Sequence, residues 1–432
     1  MEDTLFKVIL QLTIIIVTAR IFAALFRRAG QPAVCGEMAA GLVLGPSLFG
    51  KFLPHLFQRV FDPSVGNILT ILSQVGLVLL LFLVGMEFEF SHLRTHARRA
   101  AGISLAGIVV PFGCGLLLAR FVYPFVGKGI SLTGFCLFTA TAISITALPT
   151  LGRILIEFGL NRTHIGVTAI TAAALDDAAG WSILAAINAI VRSNFHPVLA
   201  ARMLIETLVF GAILLFVVRP ILKSWTRRVL AVEGEQLSFT TLTIILTLVF
   251  VAAMITNLIG IFAIFGAFMM GAVLFDQEKF RRAVALRLRD FVYVFFVPIF
   301  FMYTGLRTDI GSMSGPRMWE LSLLVIGVAI LTKGGGCALA SRLGGLSWQE
   351  SVSMGVLMNT RGLMELVVLN VGYDLGVIPK SMFFILTLMA VVTTYMTAPL
   401  LRRLTNLSIA QPRLQPSAVS SEMELQRTST AS

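Results

Sequence analysis

Two adjacent aspartates, Asp176 and Asp177, stand in the middle of an apolar run from about Thr163 to Ile190. The run is long enough to cross a bilayer, which takes roughly 20 residues. A carboxylate at the centre of a spanning helix costs about 2.5–3.5 kcal/mol on insertion scales, and this stretch holds two. Acids at that depth either pair with basic groups to tie helices together or belong to an ion or proton pathway. We read this pair as an ion and proton site. Neighbouring residues on a helix diverge by about 100° around its axis, so the two acids on their own cannot form the shared-proton dyad of an aspartyl protease. A passive cation channel is the other competitor. It needs a continuous pore and rings of ligands, usually from several subunits, and one acid pair on one chain fits alternating access better.

Three further stretches could complete such a site. In FTATAISITALPTLGRI (138–154), Thr139, Thr141, Ser144 and Thr146 crowd the middle of a span and Pro149 removes a backbone donor. Such a helix can break, and its freed carbonyls and half-helix ends could then coordinate a cation. Close packing of a Thr/Ser-rich helix is the plainer alternative. In VIGVAILTKGGGCALA (325–340), Lys333 precedes three glycines. It either snorkels or partners an intramembrane aspartate. In VLMNTRGLMELVVLN (356–370), Arg361 and Glu365 are four apart and share a helix face. Asn359 and Gly362 suggest local irregularity there, and the Arg–Glu pair is either structural or part of the site. His164 opens the aspartate-bearing helix, as a pH sensor or as an incidental loop-edge residue.

These stretches lie in a chain of 432 residues that is 57% hydrophobic and 13% charged, with a mean hydropathy of +0.89. Long apolar runs between short basic loops define an all-α polytopic membrane protein. The ten-residue alternation of a β-barrel is not visible. Thirteen spans are expected, near 5–26, 32–50, 65–86, 100–122, 131–152, 163–190, 197–218, 238–257, 259–275, 288–306, 318–340, 350–373 and 381–400. The net charge of +12 reflects basic loops and not a nucleic-acid partner. The loops with Arg27, Arg28, Arg219, Lys223 and Arg402 are far richer in Lys and Arg than those with Lys51, Lys128 and Lys380. The richer side is expected in the cytoplasm, with the N-terminus outside and the C-terminus inside. The first run, with Arg27 and Arg28 after it, is read as a retained span and not a signal peptide. Cys35, Cys114, Cys136 and Cys337 are scattered in apolar runs without metal-ligand spacing. Residues 406–432 are expected to form a disordered cytoplasmic tail. The ends of FLVGMEFEF (82–90) and MYTGLRTDI (302–310) echo each other through Gly85 and Gly305, seven spans apart. An odd separation is what an inverted repeat requires.

Taken together and in order, ATAISIT with its following Pro149, ALDDAAGW, FFMYTGLRTDI, TKGGG and NTRGLMEL resemble the cation:proton antiporter superfamily over residues 1–405. Its NapA/NhaA-like, Kef-type and CHX-type branches are the most similar. The resemblance implies thirteen helices in inverted repeats, with two broken, crossing helices. A dimer domain would comprise about 1–90 and 238–306, a core domain about 100–190 and 318–400, and a connector helix about 197–218. It implies an elevator-like motion, a homodimer, and a bacterial inner (plasma) membrane location. Asp177 would be the main ion and proton carboxylate, Asp176 would pair with Lys333, and Thr141 would lie near the ion. Arg361 and Glu365 match charged positions of the second crossing helix. The function implied is secondary Na+ or Li+/H+ antiport in the bilayer, with no enzyme activity, no cofactor and no ATP. The Asp-Asp pair departs from Kef-type relatives, and no nucleotide-binding domain is expected after the spans. NTRGLMEL and TALP look CHX-like, which keeps K+/H+ exchange open.

Overall fold

The computed structural model describes residues 2–62, 65–86, 93–126, 129–161, 163–193, 196–234, 236–274, 277–313 and 315–405. The expected tail at 406–432, and the end of FLVGMEFEF beyond Met86, lie outside them. The chain begins with α1 (Glu2–Arg28), α2 (Ala33–Leu44), the short α3 (Pro54–Val60), α4 (Gly66–Met86) and α5 (Leu93–Val126). There follow α6 (Leu132–Ser144), α7 (Leu148–Glu157), α8 (His164–Arg192), α9 (Pro197–Ile213), α10 (Arg219–Glu233), α11 (Phe239–Ile259) and α12 (Ala263–Ala272). The chain continues through α13 (Glu278–Phe291), α14 (Val297–Arg307), α15 (Pro316–Ala329), α16 (Gly335–Leu343), α17 (Trp348–Met358), α18 (Leu363–Asp374) and α19 (Lys380–Thr405). Single π-helical turns, Leu214–Val218, Val292–Phe296 and Ile330–Gly334, join α9 to α10, α13 to α14 and α15 to α16.

Local chemistry sets the ends. The Ser131, Thr163 and Ser238 side chains accept from backbone N–H groups at the starts of α6, α8 and α11, which satisfies donors that a helix N-terminus leaves open. Ser347 and Glu350 form a reciprocal capping box at α17. Gly260 closes α11 in the left-handed region, at φ 98°.

Ten helical stretches of the described residues are long and apolar enough to cross a membrane, or eleven if the pair α17–α18, bent by 40°, counts as one span. Two of the thirteen expected spans are not among them. The run at 259–275 forms the ten-residue α12. The run at 288–306 forms the end of α13, the π turn at 292–296 and the eleven-residue α14, and α13 is rich in Arg and Lys.

The helices pack in two groups. In one, α1 lies on α2, α2 on α14, α4 on α12 and α14, and α11 on α12. In the other, α5 lies on α6, α8 and α16, α17 on α16 and α19, and α18 on α6 and α19. Helix α9 touches α8 on one side and α11 on the other.

The first group is closed by two glycine contacts that answer the sequence echo. A Cβ on Gly85 would lie 2.2 Å from the Phe268 carbonyl oxygen of α12, and one on Gly271 would lie 2.2 Å from that of Phe82 on α4. Likewise a Cβ on Gly305 would lie 1.9 Å from the Gly41 oxygen of α2, and one on Gly41 would lie 2.3 Å from that of Phe301 on α14. Small residues that let backbones touch are the usual adhesive between membrane helices. A methyl group is therefore expected to act differently at two sites. Gly305→Ala should lower the unfolding temperature in detergent, since overpacking costs about 1–3 kcal/mol. Gly327→Ala, where nothing lies within 4 Å, should be neutral or slightly stabilising. Equal melting of the two variants would contradict this account.

Candidate functional site

Pro149 explains where the first broken helix breaks. It has no N–H to offer the Ile145 carbonyl four residues back. Helix α6 ends at Ser144 and α7 begins at Leu148. The second break, 359–362, separates α17 from α18. The two breaks meet. The Ala147 N–H donates to the Thr360 carbonyl at 3.3 Å, and the Thr146 hydroxyl oxygen lies 2.8 Å from the Met358 carbonyl oxygen. Gly362 lies so close to α7 that a Cβ there would sit 2.3 Å from Thr150 Oγ1.

Unwinding frees carbonyls, and a carbonyl buried in a membrane needs a donor. Arg361 supplies several. Its Nη1 donates to the carbonyls of Ala142 and Ile145, the latter at 3.2 Å, and its Nη2 donates to that of Ile143. Lys333 Nζ donates to the Ser144 carbonyl at 2.5 Å and to the Gly107 carbonyl of α5 at 2.8 Å. The carbonyls that the sequence offers to a transported cation are thus held by two resident cations. Both positive groups lie at the C-terminal end of α6, where the helix dipole favours them. Thr394 of α19 mends the second break, since its hydroxyl donates to the Arg361 carbonyl at 2.8 Å and accepts from the Arg361 N–H at 3.1 Å.

Asp176 is the anion at the centre. Lys333 Nζ reaches its Oδ2 at 2.5 Å, the Thr146 hydroxyl donates to the same oxygen at 2.7 Å, and Ser104 of α5 donates to Oδ1 at 2.7 Å. Lys333 stands in the π turn 330–334. Turns of that kind re-aim side chains and recur at functional sites. Asp176, Asp177, Lys333, Arg361 and Glu365 are each no more than 1% exposed. Ionised groups so deep persist only when paired and hydrogen-bonded.

Asp177, one residue on, points about 100° away around α8. It shares its helix face with Trp181, four residues later. Trp181 packs against Phe265 and Phe268 of α12, with ring centroids 5.4 and 5.6 Å apart. The face of Asp177 therefore looks towards the first helix group, while Asp176 looks into the second.

The other expected site residues are placed as follows. Ser144 contributes its carbonyl, while its hydroxyl donates to the Thr141 carbonyl at 2.9 Å. The Thr141 hydroxyl turns back to Leu137 of its own helix at 2.7 Å. Glu365 lies in the first turn of α18, with Oε2 3.7 Å from Arg361 Nε. That is an ion pair without a hydrogen bond. Ser104 and Thr394 belong to the site and were not singled out in the sequence. A hydroxyl in an apolar helix ordinarily bonds its own backbone, so no local signal marks them.

Two ion pairs tie the helix groups together, one at each end of the bundle. Arg153 of α7 lies 3.5 Å from Glu37 of α2, and Glu37 is 2% exposed. At the other end Arg307 of α14 lies 2.6 Å from Asp374 of α18 and donates to Asn370 at 3.1 Å.

Two broken spans that cross beside a buried acid define a class of membrane protein, the multi-pass secondary transporters. Within that class the family can be stated. Residues 14–403 match the family described as sodium/hydrogen exchanger, transmembrane, and the chain belongs to it. It is 38% identical over 400 residues to the Na+/H+ antiporter NhaS4 of Synechocystis sp., covering 92% of this chain and 97% of that one. It is 37% identical to the cation/H+ antiporter 17 of Arabidopsis thaliana and 32% identical to the K+/H+ antiporter 1 of Saccharomyces cerevisiae. It covers 48% and 45% of those two proteins, so it spans about half the length of the plant and yeast relatives. The fold is that of the sodium proton antiporter MjNhaP1 from Methanocaldococcus jannaschii, with a TM-score of 0.64 at 16% identity over 90% of this chain and 98% of that one.

Proposed function

We propose that the protein is a monovalent cation/proton antiporter in which a proton and Na+ or Li+ compete for Asp177. The observation that carries this reading is the division of labour between the two acids. Asp176 is committed to Lys333, Thr146 and Ser104. Asp177 lies on the face that meets the other helix group, at the depth where both crossing helices break. Burial favours the neutral form of a carboxylic acid and a nearby cation favours the ionised form. A proton and an alkali cation are thus alternative ways to neutralise one carboxylate. Exchange follows if the site crosses the membrane only when neutralised, because a bare carboxylate facing the low-dielectric barrier is costly. No ATP is required.

The two packing groups supply the moving parts. Helices α5–α8 and α15–α19 act as the core that carries the site, and α1–α4 with α11–α14 act as the framework, with α9 as connector and the framework as the seat of a homodimer. The core travels like an elevator, and the Arg153–Glu37 and Arg307–Asp374 pairs must part in turn as it moves. With two acids and a lysine at one site, exchange of two protons per cation, hence electrogenic exchange, belongs to the same reading. The basic-loop side faces the cytoplasm, the N-terminus lies outside, and the membrane is the bacterial inner membrane. K+/H+ exchange is the second reading, supported by the CHX-like NTRGLMEL segment and by the identity with the yeast relative.

The deciding experiment uses purified protein in liposomes with a trapped pH gradient and a pH-sensitive dye, to which Na+, Li+, K+ and choline are added in turn. Dissipation by Na+ or Li+ but not by choline is the expected result, with a cation KM that rises as the pH falls. Dissipation by K+ alone would select the second reading. No response to any cation at any pH would overturn both.

A further inference from the structure

The face of α8 that holds Asp177 continues towards the Arg192 end. Residues 177, 181, 184 and 188 recur at helical spacing and line one stripe. Two of them bring polar atoms that the fold leaves open. Trp181 is 3% exposed, and its ring is fixed between Phe265 and Phe268, yet its indole N–H meets no acceptor in the protein. Asn188 is fully buried. Its Nδ2 donates to the Gly260 carbonyl at 3.2 Å, at the turn between α11 and α12, while its Oδ1 accepts nothing from the protein. Buried donors and acceptors are rarely left without partners, and each such group calls for an explanation. Buried water commonly satisfies such groups, and Leu184, the apolar residue between Trp181 and Asn188 on the stripe, is fully buried. From Asp177 to Asn188 the helix rises about 16 Å, which is half of a hydrocarbon core of roughly 30 Å.

We propose that this stripe is one half of the exchange route. The Trp181 indole N–H and the Asn188 side-chain carbonyl each hold a water on the path between Asp177 and the Arg192 side of the membrane. An ion leaving or reaching Asp177 on that side exchanges part of its hydration shell with these two waters. Trp181 and Asn188 are positioning residues for that shell and do not bind the ion themselves. The opposite half of the route, towards the His164 end, does not use them. The inference rests on Asp177 as the exchange carboxylate.

Trp181→Phe tests it, because the variant keeps an aromatic ring against Phe265 and Phe268 and removes only the donor. Exchange is measured in proteoliposomes of defined orientation, with the driving cation added to one face and then to the other. The expected result is a roughly tenfold rise in KM for cation added at the Arg192 face. At the other face KM stays within about twofold and the melting temperature is unchanged. Asn188→Ala is expected to act on the same face. An unchanged Trp181→Phe protein, or an equal shift at both faces, would overturn the proposal. Asp177→Asn in the same assay separates the two levels. Flux that survives in Asp177→Asn sinks the reading of Asp177, whereas a dead Asp177→Asn beside an unaffected Trp181→Phe sinks the route alone.

Discussion

Asp177→Asn protein in liposomes is expected to show no cation-driven proton flux above that of protein-free vesicles. The substitution preserves side-chain size and removes both properties the mechanism needs. An amide neither takes up a proton at physiological pH nor supplies a negative charge for a cation. The variant should fold, since an amide keeps the shape of the carboxyl group and can still hydrogen-bond. A cooperative melting transition in detergent for the variant separates loss of chemistry from loss of structure. Wild-type turnover in this variant would refute the assignment. Asp176→Asn should be milder. Its hydrogen bonds can be partly remade by an amide, and the expected change is in charge moved per cycle. An unchanged response to membrane potential would speak against a role for the Asp176–Lys333 pair in coupling.

The largest effect on stability is expected at Lys333. The ammonium group joins Asp176, the Ser144 carbonyl at the first break and the Gly107 carbonyl of α5. Lys333→Met keeps an unbranched side chain, one atom shorter and without the charge, and leaves all three without that partner. Removing one partner of a buried pair costs about 3–5 kcal/mol, because the remaining charge is stranded. Lys333→Met should therefore melt well below the parent. Adding Asp176→Asn removes the stranded charge, and the double variant should recover a large part of the loss. The coupling between the two sites is read from the four melting temperatures. Additive losses would mean that the short contact contributes little and that Lys333 acts through the carbonyls alone.

Much of the site was legible because its signals are local. Two acids in a spanning run, a proline after a Thr-rich stretch, and a lysine before three glycines are each visible without a partner in view. Pro149 placed the first break, since a missing N–H has a fixed consequence four residues back. The reach of Arg361 was not legible. Its i,i+4 neighbour Glu365 is the obvious partner in the sequence, yet the guanidinium spends its hydrogen bonds on α6, more than 200 residues away. Ser104 and Thr394 were invisible for a related reason. Their roles exist only once α5 and α19 pack against the crossing, and nothing in their immediate neighbours distinguishes them from hydroxyls bonded to their own helix. The span count suffered from a third cause. Hydropathy marks where the chain is apolar and does not register that α12 is only ten residues long.

The glycine contacts of the framework bear on how such a chain can change over generations. Between α2 and α14, and between α4 and α12, backbone meets backbone with no side chain in between. Mutation acts on side chains, so these two joints are insensitive to drift everywhere except at the glycines themselves. Lipid-facing positions on the same helices can be rewritten freely without altering the spacing of the bundle. Gly41, Gly85, Gly271 and Gly305 are then the positions where any descendant or ancestor should keep the smallest residue. Ancestral sequences reconstructed for the family should hold them fixed while the surfaces around them turn over.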